Sequence, residues 1–277
     1  MGVHSGKFGF VNGMSAIRTW QVNDVSAPKK YVHSGTLGGP GRKRGIRDFT
    51  GSFGAYGGLP AVMPGAAFTF AGYTAPTNDT EGGTGDVYSG SAIVDQVAVT
   101  WNYETGDIIA HTVNFSGNGE LARSTAVYTD ETTPAIEVPI DLSITADGED
   151  VCNVTTVTLT ITAENKSYVN SCTDGWTKRK PGPIDATLAI AVQDTNPDEF
   201  VASIGDSILF NLFVNDTDFW LLKWMHYKDN SGLTVNRETG DIIGFTANFE
   251  FDGFAEGIAT PGEITEPGEV TAWWPAS

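Results

Sequence analysis

The sequence predicts an all-β protein made of two tandem β-sandwich or barrel-like units of similar fold, with little helix. Three observations carry that expectation. Apolar residues alternate with polar ones over short stretches, the period of two that half-buried strands require. The 33 glycines and 13 prolines punctuate the chain with frequent turn signals. Third, "TWNYETGDIIAHTVNF" at 100–115 and "TVNRETGDIIGFTANF" at 234–249 are identical at 11 of 16 positions.

That echo belongs to a longer one. Shifting the chain by 137 lays "KKYVHSGTLGGPGRKRGIRD" (29–48) over "KSYVNSCTDGWTKRKPGPID" (166–185), with ten of twenty positions identical. The ETGD segments align at a shift of 134, and Trp20 and Val22 fall over Val157 and Leu159. Self-similarity at a fixed spacing points to a duplicated unit. The expected organisation is an N-terminal arm (1–14), a first β unit (15–130), a second (131–257) and a C-terminal arm (258–277).

Taken in order, strands are expected around Trp20–Asp24, over "RDFTGSFGAY" (47–56), "AAFTFAGYT" (66–74) and "SAIVDQVAVT" (91–100). The echoed strand follows, with Ile109, His111, Val113 and Phe115 on one face and Thr112 and Asn114 on the other. ETGD is read as a hairpin turn, since Gly106 or Gly240 can take positive φ and Asp107 or Asp241 suits a turn. In "VTLTITA" the residues Val157, Leu159 and Ile161 alternate with threonines, and a turn is expected near Glu164 and Asn165. "NPDEFVAS" (196–203) is the one short helix candidate. Cys152 and Cys172 flank the predicted hairpin out of register, too far apart along the strand for a disulfide, so free thiols are expected.

Composition and motif spacing exclude several functions. Lys and Arg total 16 against 34 Asp and Glu, a formal charge of −18, and such a field repels nucleic acid. No apolar stretch approaches the length of a membrane helix, and the N-terminus has no continuous apolar core of a secretory signal. The four histidines make no catalytic set: His33 is matched by Asn170, and His111 by Phe245, which makes it a core residue. No nucleophile elbow, phosphate loop, zinc spacing or EF-hand spacing occurs. No enzyme, cofactor or metal is expected.

Ten of the 16 basic residues lie in 29–48 and 166–185, which hold three acids between them. The reading preferred is a pair of docking loops that meet an acidic patch on another copy of the chain, with Arg42, Lys43, Arg44, Lys178, Arg179 and Lys180 as the candidate residues. A solvated loop and a phosphate-binding loop are the alternatives. The tail "IATPGEITEPGEVTAWWPAS" ends in Trp273 and Trp274, candidate anchors in a neighbouring subunit; the alternative is that the tail folds back on its own chain.

The run "HSGKFGFVNG", "GRKRGIRDFTGSFGAYG", "PGAAFTFAGYT" and "VTWNYETGDIIAHTVNFSGNG" resembles the tail tube (major tail) proteins of tailed bacteriophages. The likeness covers most of the first unit and, more weakly, the second. It implies a virion structural protein, made in the cytoplasm of the bacterial host, whose β-sandwiches stack as rings of six units around a channel for DNA. Inner strands would join across subunits, and the loops 35–45 and 172–182 would dock. The implied partners are other copies of the chain, other phage tail proteins and DNA in transient, non-specific passage, with no membrane. The family's usual member is a single unit. A duplicated chain would close the same ring as a trimer, pseudo-hexameric, with an acidic channel. A capsid decoration protein and a tandem carbohydrate-binding sandwich are the alternatives; the second would need aromatics repeated in both units, and Trp20, Trp101 and Trp176 are matched by Val157, Val235 and Gly39.

Overall fold

The computed structural model describes residues 2–6, 8–11, 17–36, 39–60, 62–74, 84–127, 139, 143–193, 204–214, 219–234, 244–251 and 258–259. Over the first half run β1 (Gly2–Gly6), β2 (Phe8–Val11), β3 (Ile17–Tyr31), β4 (Gly41–Tyr56), β5 (Ala67–Thr74), β6 (Thr84–Asn102) and β7 (Ala110–Val127). The second half holds β8 (Ile144–Ala146), β9 (Glu149–Asp150), β10 (Val154–Ala163), β11 (Lys166–Tyr168), β12 (Lys178–Lys180) and β13 (Ile184–Gln193). It continues with β14 (Ser207–Phe213), β15 (Phe219–Thr234), β16 (Gly244–Phe251) and β17 (Ile258–Ala259). Apart from a three-residue 3-10 turn at Ser34–Thr36, the regular structure named here is strand. The chain is all-β.

The ladders among the described strands are antiparallel, and a single isolated bridge, Arg47 to Trp176, is parallel. In the first half the order is β1-β3-β4-β7-β6, with β5 on the free side of β6 and β2 on β5. Since β1 and β2 are separated by one residue, pairing β1 with β3 and β2 with β5 closes this half into a barrel. In the second half the order is β10-β13-β16-β15-β14-β8. The registers recur. Trp20 faces Phe53 across β3–β4, and Val157 faces Ile190 across β10–β13, each number raised by 137. Thr50 faces Ser116 across β4–β7, and Thr187 faces Glu250 across β13–β16, raised by 137 and 134.

The two halves are sewn together by one ladder. β6 is long enough to serve two partners on the same side: residues 86–93 take β5, and residues 96–102 take β10. Eight strands therefore lie side by side, β3-β4-β7-β6-β10-β13-β16-β15, four from each half. Their inward residues form one continuous core that includes Trp20, Phe53, Phe115, Leu159, Ile190 and Phe249. Two indoles cross between the halves: Trp101 Nε1 donates to the Phe213 carbonyl at 3.0 Å, and Trp220 Nε1 to that of Gly58 at 2.8 Å. Both rings are buried, and each buried aromatic needs such a partner for its N–H.

Local chemistry explains the turns. At the first ETGD, Asn102 receives the Thr105 N–H on its side chain and the Gly106 N–H on its carbonyl, and Gly106 takes φ 64°. The second ETGD lies outside the described residues, as does the expected helix at 196–203. The expected turn at Glu164 and Asn165 is not a turn. The chain runs on through these two residues, which belong to no strand, into the β11–β12 hairpin, whose tip is 169–177. The two backbones approach closely here, and the approach repeats in both halves. A Cβ on Gly45 would lie 1.6 Å from the Ala27 carbonyl oxygen, and one on Gly182 would lie 1.8 Å from that of Glu164. Cys152 and Cys172 are free and exposed.

Candidate assembly surface

The side of the eight-strand sheet that faces away from the core is polar and built from small residues. β3 places Thr19, Gln21 and Asn23 there, β4 Thr50, Ser52 and Gly54, and β7 Thr112 and Asn114, all lining two shallow depressions. The same alternation continues across the join through the half-buried Thr156, Thr158, Thr160 and Thr162 of β10 and into Thr246 and Asn248 of β16. Side-chain bonds tie this surface flat. Asn114 Nδ2 donates to Gln96 Oε1 at 2.7 Å, and its counterpart Asn248 donates to Asp229 Oδ1 at 2.6 Å. Two acids on this side are engaged: Asp95 accepts from Ser116 Oγ at 2.5 Å and from Asn165 Nδ2 at 2.8 Å, and Glu250 pairs with Lys228.

The basic segments are not loops. Arg42 and Lys43 lie on β4, where Lys30 faces Arg42 and Lys29 faces Lys43. β11 and β12 repeat this, with Ser167 facing Arg179 and Lys166 facing Lys180. Even an ornamental contact recurs: Lys43 and Lys180 each sit 5.9 Å from a ring centroid, Tyr31 and Tyr168 respectively.

The two hairpins nevertheless meet different surroundings. The second is clamped onto the first half. Arg179 grips Asp48 with both arms, Nη1 to Oδ1 at 2.8 Å and Nη2 to Oδ2 at 2.6 Å, and also donates to the Gly117 carbonyl. Its own N–H donates to Asn118 Oδ1 at 2.9 Å, and Lys178 Nζ donates to the Asn118 carbonyl at 2.9 Å. The Arg47 guanidinium stacks 3.8 Å over the buried Trp176 ring. Arg47 also exchanges backbone bonds with Gly175 and Thr177, at 2.8 and 2.9 Å. Arg179 and Lys178 are thus committed within the chain, which removes them as free docking groups. Arg42, Lys43 and Arg44, by contrast, are exposed, as is Lys180.

The remaining titratable groups speak for packing. His111 is buried, with Nδ1 2.7 Å from the Gly57 carbonyl, so Nδ1 carries the proton and Nε2 is left without a partner. Burial lowers its pKa, against the opposing pull of that hydrogen bond. Burial also pushes the Tyr103 hydroxyl up to about 12. Among the described residues no cluster of His, Cys, Asp and Glu could hold a metal ion. Trp20, Trp101 and Trp176 are buried, so their faces cannot stack on a sugar.

Trp273 and Trp274 lie outside the described residues. One exposed tryptophan does stand out, and the periodicity of β15 gave no sign of it. Trp224 is 62% exposed at φ 59°, a left-handed conformation that a bulky residue adopts at a cost. No protein-family model matches the chain, and no curated protein matches it.

Proposed function

We propose that the chain is a tail tube subunit of a phage virion, and that three copies close a ring in which each supplies two equivalent units. The observation that carries this reading is the eight-strand sheet: four strands from each half, joined edge to edge through β6 and β10, with a polar face of hydroxyl and amide groups. The run of eight ends at β15, where residues 229–234 have no strand beside them among the described residues, and at β3, which β1 covers. A ring of three would join these two ends and so remove the aggregation hazard of the open one. The polar face would then be the channel wall. The wall carries hydroxyl and amide groups with carboxylates such as Asp95 among them, and the −18 charge of the chain adds the longer-range repulsion that keeps DNA from adhering.

Negative-stain electron microscopy of the purified protein tests this. Hollow rings or stacked tubes are expected. Compact trimers without a central hole would favour a capsid decoration protein and overturn the tube reading.

A further inference from the structure

The junction inside the chain has a defined chemistry. Residues 96–102 of β6 pair with 156–162 of β10, and the hairpin continuous with β10 reaches across so that Arg179 grips Asp48. Each of these four components has a counterpart at the shifts already given: β15 for β6, β3 for β10, Arg42 for Arg179 and Asp185 for Asp48. Among the described residues the counterparts do not pair within one chain.

Their condition suits a partner. Arg42 is exposed and forms no ion pair among the described residues. Asp185 is exposed and poised like Asp48: its Oδ1 accepts the N–H of Ala186 at 2.8 Å, as Asp48 Oδ1 accepts that of Phe49 at 2.9 Å. Residues 229–234 of β15 bond β16 on one side, and among the described residues no strand occupies the other. The matching edge of β3 is not open. Gly2–Gly6 of β1 covers Trp20–Asp24, and Trp20–Asp24 corresponds to Val157–Ile161, the centre of the stretch that β6 holds on β10.

We propose that β1 is a placeholder, and that assembly replaces it with β15 of a second copy, locked by Arg42 of one chain on Asp185 of the other. The inference rests on the ring reading and names its contact. Both strands cannot bond one edge, so β1 must leave for β15 to enter. The counterparts of Arg47 and Trp176 are Ile184 and Gly39, so the stacked cation that reinforces the internal junction has no equivalent between chains. The external junction is therefore the weaker of the two, and free chains stay capped until their concentration, or a template, favours exchange. Each copy offers one edge and receives another, a head-to-tail contact that closes when the rotation per chain divides the circle.

Charge reversal tests the lock. R42E and D185R, both at exposed sites, should each raise the concentration for half-assembly about tenfold or more in sedimentation velocity, and the double variant should return close to the wild type. Single variants that assemble like the wild type, or a double that fails to recover, overturn the contact. A second experiment tests the placeholder. Ser5 and Gln21 are register partners, so S5C with Q21C, in a chain carrying C152S and C172S, can pin β1 by a disulfide. Oxidised protein should remain monomeric, and reduction of the same sample should release assembly. Rings that form equally well when oxidised overturn the displacement while leaving the ring reading intact. A reduced chain that stays monomeric at every concentration overturns both.

Discussion

Equivalent arginines should carry very different weight in the isolated chain. Replacing Arg179 with methionine keeps the aliphatic stem but strips two bonds to Asp48 and one to the Gly117 carbonyl. Breaking one side of a buried ion pair costs about 3–5 kcal/mol. Here the Arg179 side chain is 10% exposed but that of Asp48 is 32% exposed, so water recovers part of the orphaned carboxylate. A loss of about 2–3 kcal/mol remains, worth roughly 5–10 °C in Tm for a protein of this size. R42M should stay within about 0.5 kcal/mol, because an exposed side chain that forms no ion pair among the described residues has little to lose. Urea denaturation at concentrations where the chain is monomeric measures both, and a cycle with D48N isolates the pair, with a coupling of about 1.5 kcal/mol or more expected. If R179M and R42M cost the same, or the coupling vanishes, the second hairpin does not clamp the halves.

Two further expectations concern packing. G45A and G182A should each destabilise by about 3 kcal/mol or more or prevent folding, since the new methyl group meets a backbone oxygen at less than 2 Å. G54A is the control: its nearest neighbour is Thr19 Oγ1 at 3.3 Å, and it should cost under about 1 kcal/mol. His111 should give the protein a pH-dependent component of stability. Burial lowers its folded pKa below the ordinary 6.5, so the unfolded chain binds the proton more readily. The neutral ring contributes its full stability above about pH 6.5, and that contribution falls as pH drops below this value. H111F, which installs the residue found at the equivalent Phe245, should remove this component. It should cost about 1 kcal/mol at neutral pH, because the Gly57 carbonyl loses its donor. Thermal melts of both proteins between about pH 7.5 and 5.5 compare the slopes; parallel slopes would refute the assignment.

Much of the fold was legible because local pattern and tertiary demand agree. In β10 the threonines alternate with Val157, Leu159 and Ile161, and all three are buried. The shift of 137 read from identities at Lys29, Arg42 and Asp48 is the shift at which the strand registers recur. What stayed hidden depends on contacts distant in sequence. Glu164–Asn165 reads as a turn from its own chemistry, yet the hairpin runs on past it because Lys166–Tyr168 pair with Lys178–Lys180. Arg179 reads as a free cation because Asp48 lies 131 residues away. Nothing in "GVHSG" announces a strand: two glycines in five residues disfavour one, and its place follows from its pairing with β3, distant in sequence. The polar face was equally invisible, since β6 must be seen to leave β5 and take up β10 before eight separate strands become one surface.

Native mass spectrometry of the assembled rings reads their stoichiometry. Each ring should weigh as much as three 29.5 kDa chains, because one chain brings two units to a six-unit circle. A mass of six chains would contradict it, since each chain would then occupy a single place and the repeated registers would have no role in closing the ring.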